Sequence, residues 1–189
     1  MQEEPFQSYE QERTHWLTLY LRLPAEGVAA EFPTESICEN RLEAVRWPQG
    51  PKCPNCKEKK FGYLEARKLY YCKKCPTHFS LTSGTLFHRR RLDLRVYFLL
   101  AEKLIEAEVK RLRPTGHQIK DEYQIAYATA FKLKANISNA LRDAEGGLLG
   151  RCICLRELHL PPDLDRETTG HLNWLENELQ QRQRQSFGC

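Results

Sequence analysis

The chain has 189 residues, 41% apolar and 29% charged, with a net charge of +4; that composition excludes a disordered or fibrous polymer and allows one ordinary domain or two small ones. It has no run of about eighteen apolar residues to cross a membrane, and its acidic start, Met1-Gln-Glu-Glu-Pro5, has no basic, apolar leader, so a cytoplasmic protein is expected, nucleoid-associated if bacterial. Residues 52–142 hold 20 Lys and Arg against 8 Asp and Glu, net +12, and the rest holds 9 against 17, net −8, the pattern of a domain that meets polyanions.

Residues 7–23 carry Tyr9, Trp16, Leu17, Tyr20 and Leu21 at helical spacing, and Pro24 and Gly27 end that segment. A second helix is predicted from about Glu35 to Val45. Thr34 is its N-cap, and Ile37, Cys38, Leu42 and Val45 form its buried stripe, so Cys38 reads as a core thiol. The acidic first 51 residues suggest an arm able to fold back over a basic surface. Pro48, Gly50 and Pro51 make a stiff turn.

Cys53-Pro-Asn-Cys56 follows, and sixteen positions after Cys56 comes Cys72-Lys-Lys-Cys75. Two such knuckles read as one tetrahedral, structural Zn2+ site of the ribbon type, with Cys53, Cys56, Cys72 and Cys75 as ligands. Four thiolates accept iron as well. Strands are predicted at 61–64, 68–71 and 78–81, then a turn at 82–84, with Thr85-Leu-Phe87 extending or covering the sheet. So small a core takes its folding free energy from the metal, on the order of 10 kcal/mol. His78 and His88 are set aside as ligands because a structural site closes at four. Cys152, Cys154, His159 and His171 fit no common metal template.

Arg89-Arg-Arg91 precedes a helix capped by Asp93, with Val96, Leu99, Leu100, Leu104 and Ile105 as its stripe; Pro114 and Gly116 follow its end. Two shorter helices come next, from Gln118 to Tyr123 and from Ala126 to about Leu141. Ile119, Tyr123, Ile125, Ala130, Leu133 and Ile137 form their shared core, at helix-turn-helix spacing. Tyr127, Ala128, Thr129, Lys132, Lys134 and Asn136 then face outward. Lysines there suit phosphates, and the polar groups suit base edges. Lys73, Lys74, Arg89, Arg90 and Arg91 add phosphate-binding charge. Gly146-Gly147 and Gly150 mark a boundary, and the tail carries one helix from Leu172 to Gln183. The expected fold is α+β, mostly α: an N-terminal helical arm (1–48), a zinc ribbon (49–88), a long helix with a helix-turn-helix (89–145) and a tail with one helix (146–189).

Phe32-Pro-Thr-Glu35, Arg46-Trp-Pro48, Gly50, the two knuckles, Phe79-Ser80, Thr82-x-Gly84-Thr85 and Phe87 together resemble the N-terminal region of Merlin-related bacterial insertion-sequence transposases. The resemblance covers about residues 32–142. It implies a helical lead, a zinc ribbon, a long helix and a helix-turn-helix, with Thr129-Ala130-Phe131 as the Thr-Ala-aromatic step of its recognition helix. Gln124 stands where that family usually has Gly in the turn. The family continues into an RNase-H-like domain that clamps two metal ions on separated carboxylates. This chain has 47 residues after Arg142, with Asp163, Asp165 and Glu167 on one short segment, so catalysis by it alone is not expected.

The expected partner is double-stranded DNA, held by the ribbon and the helix-turn-helix. Two alternatives stand beside it. One is a DDE-type transposase that is truncated or completed by a separate catalytic subunit, and a homodimer is a further expected partnership. The other is a zinc-ribbon adaptor that binds protein through the acidic arm and the tail helix.

Overall fold

The computed structural model describes residues 6–162, 164 and 169–186. The fold is α+β and mostly α, with one small antiparallel sheet. The chain forms two compact units. One is Phe32–Tyr97; the other joins the chain up to Glu31 with the chain from Phe98 onward.

The first unit opens on α3 (Glu35–Arg46), after α1 (Tyr9–Arg22) and α2 (Val28–Glu31) of the other unit. Thr34 caps α3 by accepting the Ile37 N–H, and Cys38 and Leu42 are buried. The sheet follows in the order β1 (Phe61–Leu64), β2 (Leu69–Cys72), β3 (His78–Phe79), all neighbours antiparallel. Its inner face stacks aromatic rings, because alternate strand residues point to one side. Tyr70 lies 5.3 Å from Phe79 and 5.5 Å from Trp47, and Phe61 lies 5.2 Å from Tyr70. β3 stops two residues short of Leu81. The carbonyls beyond it turn to Arg46, whose Nη1 donates to Leu81 O and whose Nη2 donates to Ser83 O at 2.5 Å. Thr85-Leu-Phe87 is not a strand: the His88 N–H donates to Thr85 O at 3.0 Å, and Phe87 is buried with its ring 5.4 Å from Tyr97.

The second unit is helical. α1 (Tyr9–Arg22) is capped by Ser8 and buries Trp16, Leu17, Leu19 and Leu21. It packs along α8 (Thr169–Ser186), where Leu175 is buried and Arg182 donates to Leu21 O at 2.5 Å. The acidic arm read as able to fold over a basic surface thus contains, in α1, a helix with a buried side packed on α8. The short α2 (Val28–Glu31) has no counterpart among the predicted elements; the Glu102 carboxylate accepts its first N–H at 2.8 Å. α4 (Leu94–Lys110) leads to α5 (Gly116–Tyr123) and α6 (Tyr127–Leu141).

The glycine cluster differs from its expected role as a boundary. Residues 147–153 form α7 (Gly147–Ile153), with Leu149, Cys152 and Ile153 buried. A Cβ on Gly146 would lie 3.1 Å from Leu19, and one on Gly150 would lie 2.4 Å from the Glu145 carbonyl. These glycines allow close packing onto α1 and within the α7 turn. Asp163, Asp165, Glu167 and Cys189 lie outside the described residues.

Candidate metal centre and basic surface

The knuckles bring Cys53, Cys56, Cys72 and Cys75 to one point. Each knuckle is closed by its own backbone: the Cys53 N–H donates to Glu58 O at 2.9 Å and the Cys72 N–H to Thr77 O at 3.0 Å. Lys57 takes a left-handed φ of 61° to complete the first turn. The four Sγ atoms lie within 4.8 Å of one another. Cys53–Cys75 is 3.6 Å and Cys56–Cys72 is 3.5 Å. Those distances are far beyond a disulfide bond of about 2.05 Å. They approach the edge of about 3.8 Å that a tetrahedron with 2.3 Å Zn–S bonds requires. The four thiols thus fit one structural zinc, which locks the two turns together.

Polar donors stand around two of the sulfurs. The Lys74 N–H points at Cys72 Sγ at 3.4 Å and Asn55 Nδ2 at Cys75 Sγ at 3.8 Å. The Thr77 hydroxyl, 3.2 Å from Cys75 Sγ, and the Thr77 N–H hold that thiol down to about 6. Such outer hydrogen bonds orient ligands and stabilise their charged form. Elsewhere burial has the opposite effect: it pushes Cys38 up to about 11 and Cys154 up to about 12, the behaviour of inert core thiols. Among the described residues no second cluster of metal-binding groups forms around Cys152, Cys154, His159 and His171.

The expected phosphate-binding residues separate into two kinds. Lys73, Lys74, Arg89 and Arg91 are exposed. Arg90 is turned inward, with Nη2 2.6 Å from Glu35 and 3.2 Å from Glu39 and Nη1 donating to Leu92 O. Its charge serves α3 rather than the surface. On α6, Ala130, Leu133, Ile137 and Leu141 are buried. Tyr127, Ala128, Thr129, Lys132 and Asn136 are exposed, and Lys134 is half-buried. The Tyr127 ring lies 4.6 Å from His117. Between α5 and α6, Gln124 takes the left-handed conformation at φ 52°.

Residues 33–78 match the transposase zinc-ribbon domain. The matched segment holds α3, all four cysteines and the first two strands. A Halobacterium salinarum protein described as an uncharacterized protein in transposable element ISH50 is 28% identical over 113 residues. That alignment covers 58% of this chain and 37% of the relative, so the chain spans well under half of the relative's length. No solved structure matches. Residues 33–78 thus form a zinc ribbon of the transposase type, whose four cysteines are placed to hold one structural zinc.

Two features of the ribbon escaped the sequence patterns, and one residue of α6 was marked only by the family resemblance. Arg46 clamps the turn after β3, although only its place in Arg46-Trp-Pro48 marked it. Tyr71 lies over Gly62, and only the cross-strand register brings them together. Phe131 is 61% exposed, and its signal was available: it falls one helical turn after Tyr127 and off the Ala130–Leu133–Ile137 stripe.

Proposed function

We propose that this chain is a DNA-recognition part of a transposase-like protein, holding duplex DNA through its ribbon and through the α5–α6 pair as a helix-turn-helix. The observation that carries the proposal is the match of residues 33–78 to a transposase zinc-ribbon domain, in a region whose 52–142 stretch is net +12. Lys73, Lys74, Arg89, Arg91 and Lys132 contact phosphates, and Lys134 supports them with its half-buried charge. Tyr127, Ala128, Thr129 and Asn136 read base edges. Arg90 positions the lead into α4 instead of meeting phosphate. Two linked modules raise affinity through effective concentration without either binding tightly alone.

Five phosphate contacts predict a slope of log K against log salt of about −4.5. Fluorescence anisotropy with duplexes selected from a random pool measures it. An affinity that barely changes from low to moderate salt overturns the proposal.

A second reading rests on the relative belonging to a transposable element. Here the chain supplies recognition, and a separate polypeptide or region supplies the metal-clamping carboxylates that strand transfer needs. Strand transfer by the purified chain with Mg2+ or Mn2+ would show that it needs no such supplement.

A further inference from the structure

The ribbon sheet has an outer face unlike that of an ordinary exposed sheet. An antiparallel sheet with one face packed carries polar residues on the other. Here the outward positions are Gly62 and Leu64 on β1, Leu69 and Tyr71 on β2, and His78 on β3. Gly62, Tyr71 and His78 form one cross-strand row. Tyr71 lies down across it: a Cβ on Gly62 would fall 2.1 Å from Tyr71 Cζ and 2.2 Å from its hydroxyl oxygen. The absent side chain is therefore what lets the ring rest against the strand. One ring face is covered by backbone, and Tyr71 as a whole stays 37% exposed. The His78 ring is 6.4 Å away and is also on the surface.

The margin of this face is basic. Lys60 and Lys73 continue the same strand alternation and are joined by Lys73 N–H to Lys60 O at 3.1 Å. Lys59 and Lys74 are exposed beside them. The one carboxylate in the first knuckle's run, Glu58, accepts the Lys59 and Lys60 N–H groups at 2.8 and 3.1 Å, so it is held on the backbone.

A flat aromatic ring with lysines at its edge suits a nucleobase whose own phosphates meet the lysines. In a closed duplex the faces of the bases are covered by their neighbours, so only an unpaired base reaches such a ring. We propose that the Gly62–Tyr71–His78 row is a stacking platform for unpaired nucleobases of single-stranded or locally opened DNA. The proposal rests on the nucleic-acid reading above and adds a second strand state to it.

The test uses the zinc-loaded full chain, labelled oligo-dT and the same strand with abasic sites, which keeps the phosphates and removes the bases. Oligo-dT should bind about tenfold more tightly than the abasic strand. Tyr71→Ala should abolish that difference and Tyr71→Phe should keep it. Gly62→Ala, which displaces only the movable ring, should reduce it while zinc content stays at one per chain. Equal affinity of the wild type for the two strands overturns the platform. If selected duplex still binds under those conditions, the duplex reading survives; if no DNA binds, both fall. Sedimentation provides the remaining check: a Tyr71→Ala protein with a changed oligomeric state would assign the face to a second copy of the chain and overturn the proposal.

Discussion

Arg46 donates to the Ser83 carbonyl at 2.5 Å, across 37 positions of sequence. Its other terminal nitrogen donates to Leu81 O, and its guanidinium sits 4.9 Å from the Trp47 ring centre. The turn that enters the first knuckle is thereby tied to the turn that leaves the last strand. Zinc closes the ribbon from one end and Arg46 from the other.

Arg46→Ala should leave those carbonyls without a charged donor and cost about 2 kcal/mol. Arg46→Lys should recover little, because an ammonium cannot serve both carbonyls with a planar fork. Burial already draws the Arg46 pKa down. Thermal unfolding of zinc-loaded protein checks this. Equal melting temperatures for wild type and Arg46→Ala would show that the clamp contributes nothing.

Cys72→Ser should remove the metal, because a hydroxyl is a poor substitute for a thiolate in a closed four-sulfur site. One zinc per chain is expected in the wild type and none in the variant. The ribbon's apolar core is small: Cys53, Cys72 and Phe79 are its buried members. Without metal it should lose near-ultraviolet dichroism, while much of the helical signal from the other unit remains. Wild-type protein purified without bound metal would sink the zinc assignment.

The longer helices and the metal knuckles were legible because their signals are local. Thr34 followed by Glu35 announced the start of α3, and strand β1 was predicted at the residues where it lies. The misread features depend on distant neighbours. Gly146 and Gly150 look like punctuation until Leu19 and the Glu145 carbonyl lie against them. Arg90 looks like a phosphate ligand until Glu39, 51 positions earlier, takes its guanidinium. The register that pairs Gly62 with Tyr71 is likewise invisible in composition. Short spacing rules describe elements; side-chain roles depend on which elements meet.

Gln124 holds φ 52° and ψ 45° at the end of α5, with its side-chain amide donating to Asp121 O at 2.5 Å. A residue with a Cβ pays roughly 1 kcal/mol in that region, and glycine does not. Gln124→Gly should therefore stabilise the helical unit by about 0.5 kcal/mol, the strain relieved less the lost side-chain bond. Urea unfolding should show a higher midpoint with an unchanged slope. A lower midpoint would mean that the Asp121 bond outweighs the strain.

His15 Nε2 donates to the Leu141 carbonyl at 2.7 Å, in the last turn of α6. Its ring is flanked by Phe6 at 4.9 Å and Trp16 at 5.1 Å. Burial lowers its pKa below 6.5 and the Arg142 charge adds to that, against the Leu141 bond and the Glu12 and Asp143 carboxylates. The unfolded chain then takes up this proton more readily than the folded one. The stabilisation is fully present above pH 6.5 and is lost as pH falls from there toward the depressed folded value. Between pH 7 and pH 5 the wild type should lose more melting temperature than His15→Gln. Parallel losses in the two proteins would clear His15 of the effect.

Phe131 adds an apolar contact to the proposed reading face of α6. With Ala128 and Ala135 it forms an exposed stripe at i, i+3 and i+7 beside Thr129, Lys132 and Asn136. Ala and Phe are side chains that meet the thymine 5-methyl group in the major groove, whereas Lys132 meets phosphate whatever the sequence. The two substitutions should therefore fail differently. Lys132→Ala should weaken binding to selected and unselected duplexes alike and flatten the salt slope by about 1. Phe131→Ala should weaken the selected duplex by roughly tenfold and leave the salt slope unchanged. Replacing thymine by deoxyuridine should weaken the wild type and leave Phe131→Ala nearly unaffected. Indifference of the wild type to that replacement would remove thymine methyl groups from the contact and leave Phe131 without a role in readout.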